Sequence, residues 1–327
     1  MSDWPDLLAR TYDVVRAAVA FVDDRVIDRA TPCAEWNVGR LFEHMVGAMA
    51  MFGTAAGAAA DLPVADASPL ERYDAAARRN LEAWSAFTNR AATLTLPFGE
   101  FPADLVIAMN QLDSLIHGWD LAAALGLPTT LPDDLAERAM QTARITVPPA
   151  RGHAFGPEVP TAATGGTDRL VAFTGRDPAG WTGAIWVAGS LVTIKPTLGD
   201  GAVASAVEIW EHEGSGPPKH VHAEHDEIWY VLQGQFRFVL GDAELIARAG
   251  DVVVGPRGVP HTFCAETTDA RMIDIHSPGG FERFFVQAGT PAAALVPPEP
   301  TQVAAPEQLR ARIEDFGALV VGPPLRS

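Results

Sequence analysis

The chain has 327 residues, a formal net charge of −17, and 48% hydrophobic against 20% charged residues. That length exceeds the usual single domain and suggests two. The negative charge repels phosphate backbones, so nucleic acid is not an expected partner, and no run of ~18 apolar residues offers a membrane span.

The N-terminus, MSDWPDLLARTYD, has no basic region followed by an apolar block, so no signal peptide is expected. Leu7, Leu8, Tyr12, Val15, Val19 and Val22 then recur at helical spacing. Val38 to Ala60 and Pro69 to Arg90 read as further helices, the latter ending near a Pro97-Phe98-Gly99 break. Leu105 to Leu125 is the longest clean helix, stopped by Gly126 and Pro128. Pro132 to Ile145 reads as another, with Pro148-Pro149 beyond its end, and Thr167 to Thr174 as a last short one. Helices joined by short loops point to a bundle. From Ala184 the texture changes to short β-branched and aromatic runs, punctuated by Gly, Asp and Pro about every ten residues. This is the pattern of a small all-β barrel or sandwich. The stretch from Pro291 to Pro306 reads as irregular, with a short helix at Glu307 to Phe316. The expected organisation is multidomain, α then β: a bundle over 1–165, a linker over 166–184, a barrel over 185–290 and a tail over 291–327. The two cysteines, Cys33 and Cys264, form no disulfide framework, and a cytoplasmic location is expected.

Chemistry concentrates first in the β half. His220 and His222 are two apart, so in a strand both imidazoles face one point. Glu227 follows near the start of a strand, and His261 arrives from a distant segment after Pro256-Arg257-Gly258-Val259-Pro260. Three imidazoles and one carboxylate suit Fe2+, Mn2+, Ni2+, Cu2+ or Zn2+. The spacing Gly214, His220, His222, Glu227, Gly234, then Gly250, Pro256, Gly258, His261, resembles the two motifs of the cupin superfamily. Ala265 stands where the pattern has Asn. The resemblance covers residues 185 to 290. It implies a jelly-roll barrel with His220, His222, Glu227 and His261 as ligands of a divalent metal, Fe2+ favoured. Glu227 and His261 are then the candidate catalytic residues, and a homodimer is common in the family. His212 and His225 are expected to be exposed near the mouth and Cys264 to be a small buried residue, while His276 is a candidate to line the cavity. Trp186, Trp210, Trp229, Phe236, Phe238 and Phe263 are candidate wall or core residues.

A second constellation lies in the α half. Asp113 and His117, four apart, share a helix face, and His44 sits on an earlier helix. Thr31-Pro32-Cys33 with Trp36 and His44, followed by Asp113, His117, Gly118, Trp119 and Asp120, resembles the N-terminal domain of mycothiol-dependent maleylpyruvate isomerases. These belong to the DinB-like helical bundles. The FGPEVP run at 155–160 fits as well, and the resemblance covers residues 5 to 180. It implies Zn2+ or a similar ion at His44, Asp113 and His117, and mycothiol as a candidate co-substrate. Asp113 occupies a position where the isomerases usually have Glu. His153 is expected in a loop.

The expected function is a metal-dependent enzyme acting on a small enolic, phenolic or keto-acid-like molecule, with dioxygenase-type chemistry at the cupin favoured. A redox-neutral isomerase or cyclase at the same metal, a thiol-dependent isomerase or transferase at the bundle, and a non-enzymatic metal or small-molecule sensor are the alternatives.

Overall fold

The computed structural model describes residues 4–33, 35–59, 67–195, 203–298 and 312–325. The chain divides into two units, one reaching Leu125 and including Thr129–Gly180, the other holding Gly126–Pro128 and everything from Trp181 on.

The first unit is helical. It contains α1 (Trp4–Val19), α2 (Val38–Ala55), α3 (Pro69–Ala86), a hairpin of β1 (Thr93–Leu96) and β2 (Gly99–Pro102), then α4 (Ala103–Leu125), α5 (Asp133–Ala150) and α6 (Gly166–Phe173). Local chemistry sets the helix starts. The Asn37 side chain accepts from Arg40 N at 2.9 Å and opens α2. Ser68 and Glu71 form a capping box at α3, with Pro69 at its first position. α4 is the central helix, with almost every side chain buried. Gly118 allows this packing, because a Cβ there would lie 2.3 Å from Val15 Cγ2 of α1. A buried polar chain ties the helices laterally: Tyr12 donates to Asn110 (3.2 Å), Asn110 to Asn80 (2.9 Å), and Asn80 to the Met49 carbonyl (2.7 Å).

Four expectations for this half are corrected or refined. α2 ends at Ala55, and Ala60 lies outside the described residues. The Pro97-Phe98-Gly99 break is the turn of a β-hairpin, with Leu96 paired to Gly99. α5 runs through Pro148 and Pro149, which lie in its last turn, so the ladder bonds that their missing N–H groups forfeit are confined to the helix end. The residues expected as a linker mostly belong to the first unit, since α6 buries Leu170 and Val171 there.

The second unit is a two-sheet barrel. Its strands are β3 (Ile185–Val187), β4 (Ser190–Lys195), β5 (Ser205–Glu211), β6 (Pro218–His222), β7 (Asp226–Gln233), β8 (Gln235–Leu240), β9 (Ala243–Arg248), β10 (Val252–Gly255), β11 (His261–Ala265) and β12 (Ala270–Ser277). After them come α7 (Glu282–Ala288), β13 (Thr290–Pro291) and β14 (Ala318–Pro324). Among the described residues one sheet runs β10-β7-β12-β5-β4-β3-β13 and the other β14-β6-β11-β8-β9, with the pairings antiparallel. Strict alternation on β5 and β12 sends every second side chain inward. Phe236, Phe238 and Trp229 fill the core.

Beyond the stretches read from the sequence, the tail ends in a strand. β14 pairs with β6, Ala318 opposite His222 and Val320 opposite His220, and so covers the edge of the strand that carries the His-x-His pair. Half of the helix expected at Glu307 to Phe316 lies outside the described residues, and 312–314 are helical.

Candidate metal centres

In the barrel, β6 carries His220 and His222 inward, β7 begins with Asp226 and Glu227, and β11 begins with His261 paired across the ladder to His220. Sequence separation vanishes at this point: the four ligand atoms of His220, His222, Glu227 and His261 lie within 4.8 Å of one another, all on buried residues. His222 Nε2 is 3.0 Å, His261 Nε2 2.8 Å and His220 Nε2 4.0 Å from Glu227 Oε2. Both His222 nitrogens, His261 Nε2 and Glu227 Oε2 are nevertheless buried without a hydrogen-bond partner. Unpartnered buried donors and acceptors aimed at one point fit a cation there.

Tautomers are set by the backbone. His220 Nδ1 lies 2.9 Å from the Pro218 carbonyl and His261 Nδ1 2.9 Å from the Val259 carbonyl, each two residues earlier. Nδ1 therefore carries the proton, and the Nε2 lone pair faces the centre. Burial pushes His220 down to about 4, which keeps it a neutral ligand. Burial would raise the Glu227 carboxyl, but His222, His261 and His276 around it hold it well below the usual range.

Two further inward groups sit beside the ligands. His276 Nε2 is 3.7 Å from Glu227 Oε1, and Asp274 Oδ1 is 3.8 Å from His276 Nδ1. His276 stacks on Phe281 with ring centroids 4.4 Å apart. His276 is buried beside the ligands, while His212 is exposed as expected. His225 departs from expectation: it is buried against Phe281, with ring centroids 5.6 Å apart. Asp274 was not singled out in the sequence, although its parity with His276 on β12 is a usable signal.

Two of the four, His220 and Glu227, line a cavity of about 450 Å³, walled also by Phe263, Phe281, Phe284 and Val320. Of the aromatic residues named from sequence, Phe263 lies in this wall, while Trp229, Phe236 and Phe238 are core. Cys264 is buried, as expected.

The bundle holds the second centre. His44 of α2 has Nε2 3.3 Å from Asp113 Oδ1, and His117 Nε2 is 3.6 Å from the same oxygen. The two imidazole centroids are 4.6 Å apart. These three residues form one candidate ligand set. Their side chains are 35% (His44), 25% (Asp113) and 12% (His117) exposed, so this centre is more open than the barrel's. Burial raises the Asp113 carboxyl, and His117 and His44 outweigh it to hold it below the usual value. Two nitrogens and one carboxylate oxygen from facing helices suit zinc with positions left open.

Behind His117 lies a buried relay that sequence reading missed in part. His117 Nδ1 is 3.0 Å from Asp120 Oδ2, which leaves Nε2 for an ion. Asp120 is fully buried and receives Arg176 through Nε at 3.0 Å and Nη2 at 2.7 Å. Burial raises the Asp120 carboxyl, yet Arg176 and His117 pull it far below its usual range. Cys33 Sγ donates to Asp120 at 3.1 Å, and burial, with Asp120 next, pushes this thiol up to about 12. Cys33, His117 and Asp120 also cluster at ligand distance. The Arg176 guanidinium, 3.4 Å from Cys33 Sγ, already supplies the positive charge there, which argues against a cation on that side. The Thr31-to-Trp36 loop closes the site: Thr31 Oγ1 lies 2.9 Å from the Trp36 carbonyl, and Trp36 packs on His44 with centroids 4.7 Å apart. His153 stays in an exposed turn.

The two centres define a chain that joins a DinB-like bundle to a cupin barrel. Residues 8–122 match the mycothiol maleylpyruvate isomerase N-terminal domain, and residues 206–276 match the cupin domain. An uncharacterized protein of Mycobacterium tuberculosis is 34% identical over 171 residues, covering 51% of this chain and 94% of that protein. The chain therefore belongs, through its first half, to the mycothiol maleylpyruvate isomerase N-terminal domain family, and carries a cupin domain after it. Quercetin 2,3-dioxygenase of Aspergillus japonicus is 33% identical over 78 residues, 22% of this chain and 22% of that protein. The Bacillus subtilis enzyme of that name is 27% identical over 104 residues, 32% of this chain and 31% of its own. Among solved structures, KdgF from Halomonas sp. matches at 29% identity over 28% of this chain and 81% of that chain, with a TM-score of 0.27. Among the described residues no helix is long and apolar enough to cross a membrane.

Proposed function

We propose that this chain is a metal-dependent enzyme whose cupin barrel acts on a small enolic or phenolic molecule by dioxygenase-type chemistry. The observation that carries this reading is the junction of a candidate four-ligand centre with a mainly apolar cavity. A cavity of about 450 Å³ is of the size that holds one small molecule. A bound divalent ion, Fe2+ by preference, would supply Lewis acidity and an electron path to O2. The chain's own residues shape the rest. Phe263, Phe281 and Phe284 exclude water and favour a planar apolar ligand. His220 and His261, locked by the Pro218 and Val259 carbonyls, keep their lone pairs on the centre. The partial similarity to quercetin 2,3-dioxygenases supports the same class.

The test is O2 uptake by Fe2+-loaded protein with a flavonol such as quercetin as probe substrate. His222→Ala should abolish it. Turnover at an undiminished rate without O2 would sink the oxygenase reading and leave a redox-neutral isomerase or cyclase.

A second reading has its own observation. The His44, Asp113, His117 set is backed by the buried Asp120–Arg176 pair and is partly open. We propose that this centre holds Zn2+ and accepts a low-molecular-weight thiol such as mycothiol, whose pKa an ion would lower. A thiol requirement that His44→Ala removes and His222→Ala spares would place the chemistry there.

A further inference from the structure

Glu211 is the last residue of β5, and the alternation of that strand turns it inward with Val207 and Ile209. It is 2% exposed and lies in the wall of the barrel cavity, as His220 and Glu227 do. It is not one of the four ligands, and among the described residues it pairs with no cation. Its two partners are hydroxyls: Ser190 Oγ, 2.6 Å from Oε1, and Ser215 Oγ, 2.6 Å from Oε2.

The Ser215 contact has a second side. The same Oγ lies 2.6 Å from the His212 carbonyl. A serine hydroxyl has one proton and two acceptor lone pairs. When Glu211 is ionised, Ser215 can give its proton to Oε2. When Glu211 is neutral, its own proton can go to Ser215 Oγ, and Ser215 then donates to the His212 carbonyl. Both charge states of this buried carboxyl therefore keep a hydrogen bond on Oε2, so neither leaves that oxygen unpartnered. Burial pushes the group up to about 7, against the lowering effect of the two serines. Other ionisable groups of the cavity wall are His220, Glu227 and Asp274, and Cys264 lies close by on β11.

We propose that Glu211 is a proton-transfer group of the cupin cavity, taking the proton of a phenolic or enolic hydroxyl on an uncharged aromatic ligand. The ligand's O–H bond breaks, its electron pair stays on the ligand oxygen, and the proton forms an O–H bond on the Glu211 carboxylate. Net charge is conserved, the negative charge moving from carboxylate to ligand oxygen. The wall explains the ligand class. Among the described lining residues there is no Lys or Arg to clamp a phosphate or carboxylate, and aromatic and aliphatic side chains predominate. A general base with a pKa near the working pH suits this transfer. The inference rests on the reading of the barrel as the substrate site, but its test needs no turnover.

The probe is 7-hydroxycoumarin, whose phenol and phenolate forms differ in absorption and emission. It is added to the full chain loaded with Zn2+, at a pH where the free probe is mainly phenol. The wild-type chain should bind it with a larger phenolate share than the free probe has at that pH. Glu211→Gln should keep its zinc and bind the probe with a phenolate-to-phenol ratio lower by about tenfold or more, the equivalent of one pKa unit. Ser190→Ala removes a donor that stabilises the carboxylate, so it should move the ratio the opposite way. Opposite signs are not what general loosening of the barrel would give. An unchanged ratio in Glu211→Gln, a purely phenolic spectrum in the wild type, or no binding of the probe to the wild type overturns the proposal. Failure of O2 uptake would sink the oxygenase reading and leave this spectral result standing.

Discussion

The two candidate centres solve one problem in two ways. Each presents imidazole Nε2 atoms to one point, and at His220, His261 and His117 a partner on Nδ1 fixes that choice. In the barrel the backbone does this: His220 and His261 each meet a carbonyl two residues back in the chain. Carbonyls at strand starts and in the preceding loops are free to accept. In the bundle His117 sits in the middle of α4, where carbonyls are already engaged in the helix ladder. A side chain has to serve instead, and Asp120 at i+3 is in reach. A buried carboxylate then needs its own countercharge, which Arg176 provides. The helical centre thus needs an ionic pair behind it that the strand-borne centre does without.

The largest effects should come from removing ligands. His222→Ala should lower the metal content of the purified chain by about one ion, and His44→Ala should do the same independently. Metal analysis of both single variants and the double variant checks this. Equal loss from both centres in either single variant would break the separation between them.

The next effect probes the ionic pair. Asp120→Ala leaves a buried guanidinium unpaired and should cost the bundle about 3–5 kcal/mol in urea unfolding. Asp120→Asn keeps the shape and should weaken zinc at His44, Asp113 and His117 by about 10–100-fold, while barrel metal affinity stays unchanged. No loss of zinc affinity would mean that His117 does not depend on its buried partner.

Glu211 gives a pH-dependent effect of intermediate size. Its folded value, about 7, stands above its ordinary value of 4.5, so the folded barrel binds more protons between those limits. Stability from this group is therefore fully present below about 4.5 and is lost as pH rises through about 7. Relative to Glu211→Gln, the wild-type barrel should lose on the order of 3 kcal/mol between pH 5 and pH 8. Parallel urea transitions of the two proteins at both pH values test the sign. A gain on raising the pH would contradict a buried neutral carboxyl.

The smallest effect is local. Asn37→Ala removes the cap of the helix that carries His44 and should cost about 1 kcal/mol. Barrel metal content should not change.

The sequence by itself determined the two halves and pointed to their candidate ligands. His-x-His, Glu227 and His261 are legible because strand parity and fixed turn lengths translate spacing into direction. His44, Asp113 and His117 are legible because helical spacing puts the acid and the imidazole on one face. Glu211 carried a weaker signal, since it shares the parity of Val207 and Ile209, but parity alone does not show that two serines and a cavity await it. Only the tertiary structure decided the rest. Arg176 lies 56 residues from Asp120, and the chain must pass through α5 and α6 before the two meet. β14 comes from a Pro-rich tail whose strand character depends on the unpaired edge of β6. A local pattern can say which way a side chain points. Which distant group neutralises a buried charge, or closes an open sheet edge, depends on packing, because either one left uncompensated in the interior would cost more than a marginally stable fold can carry.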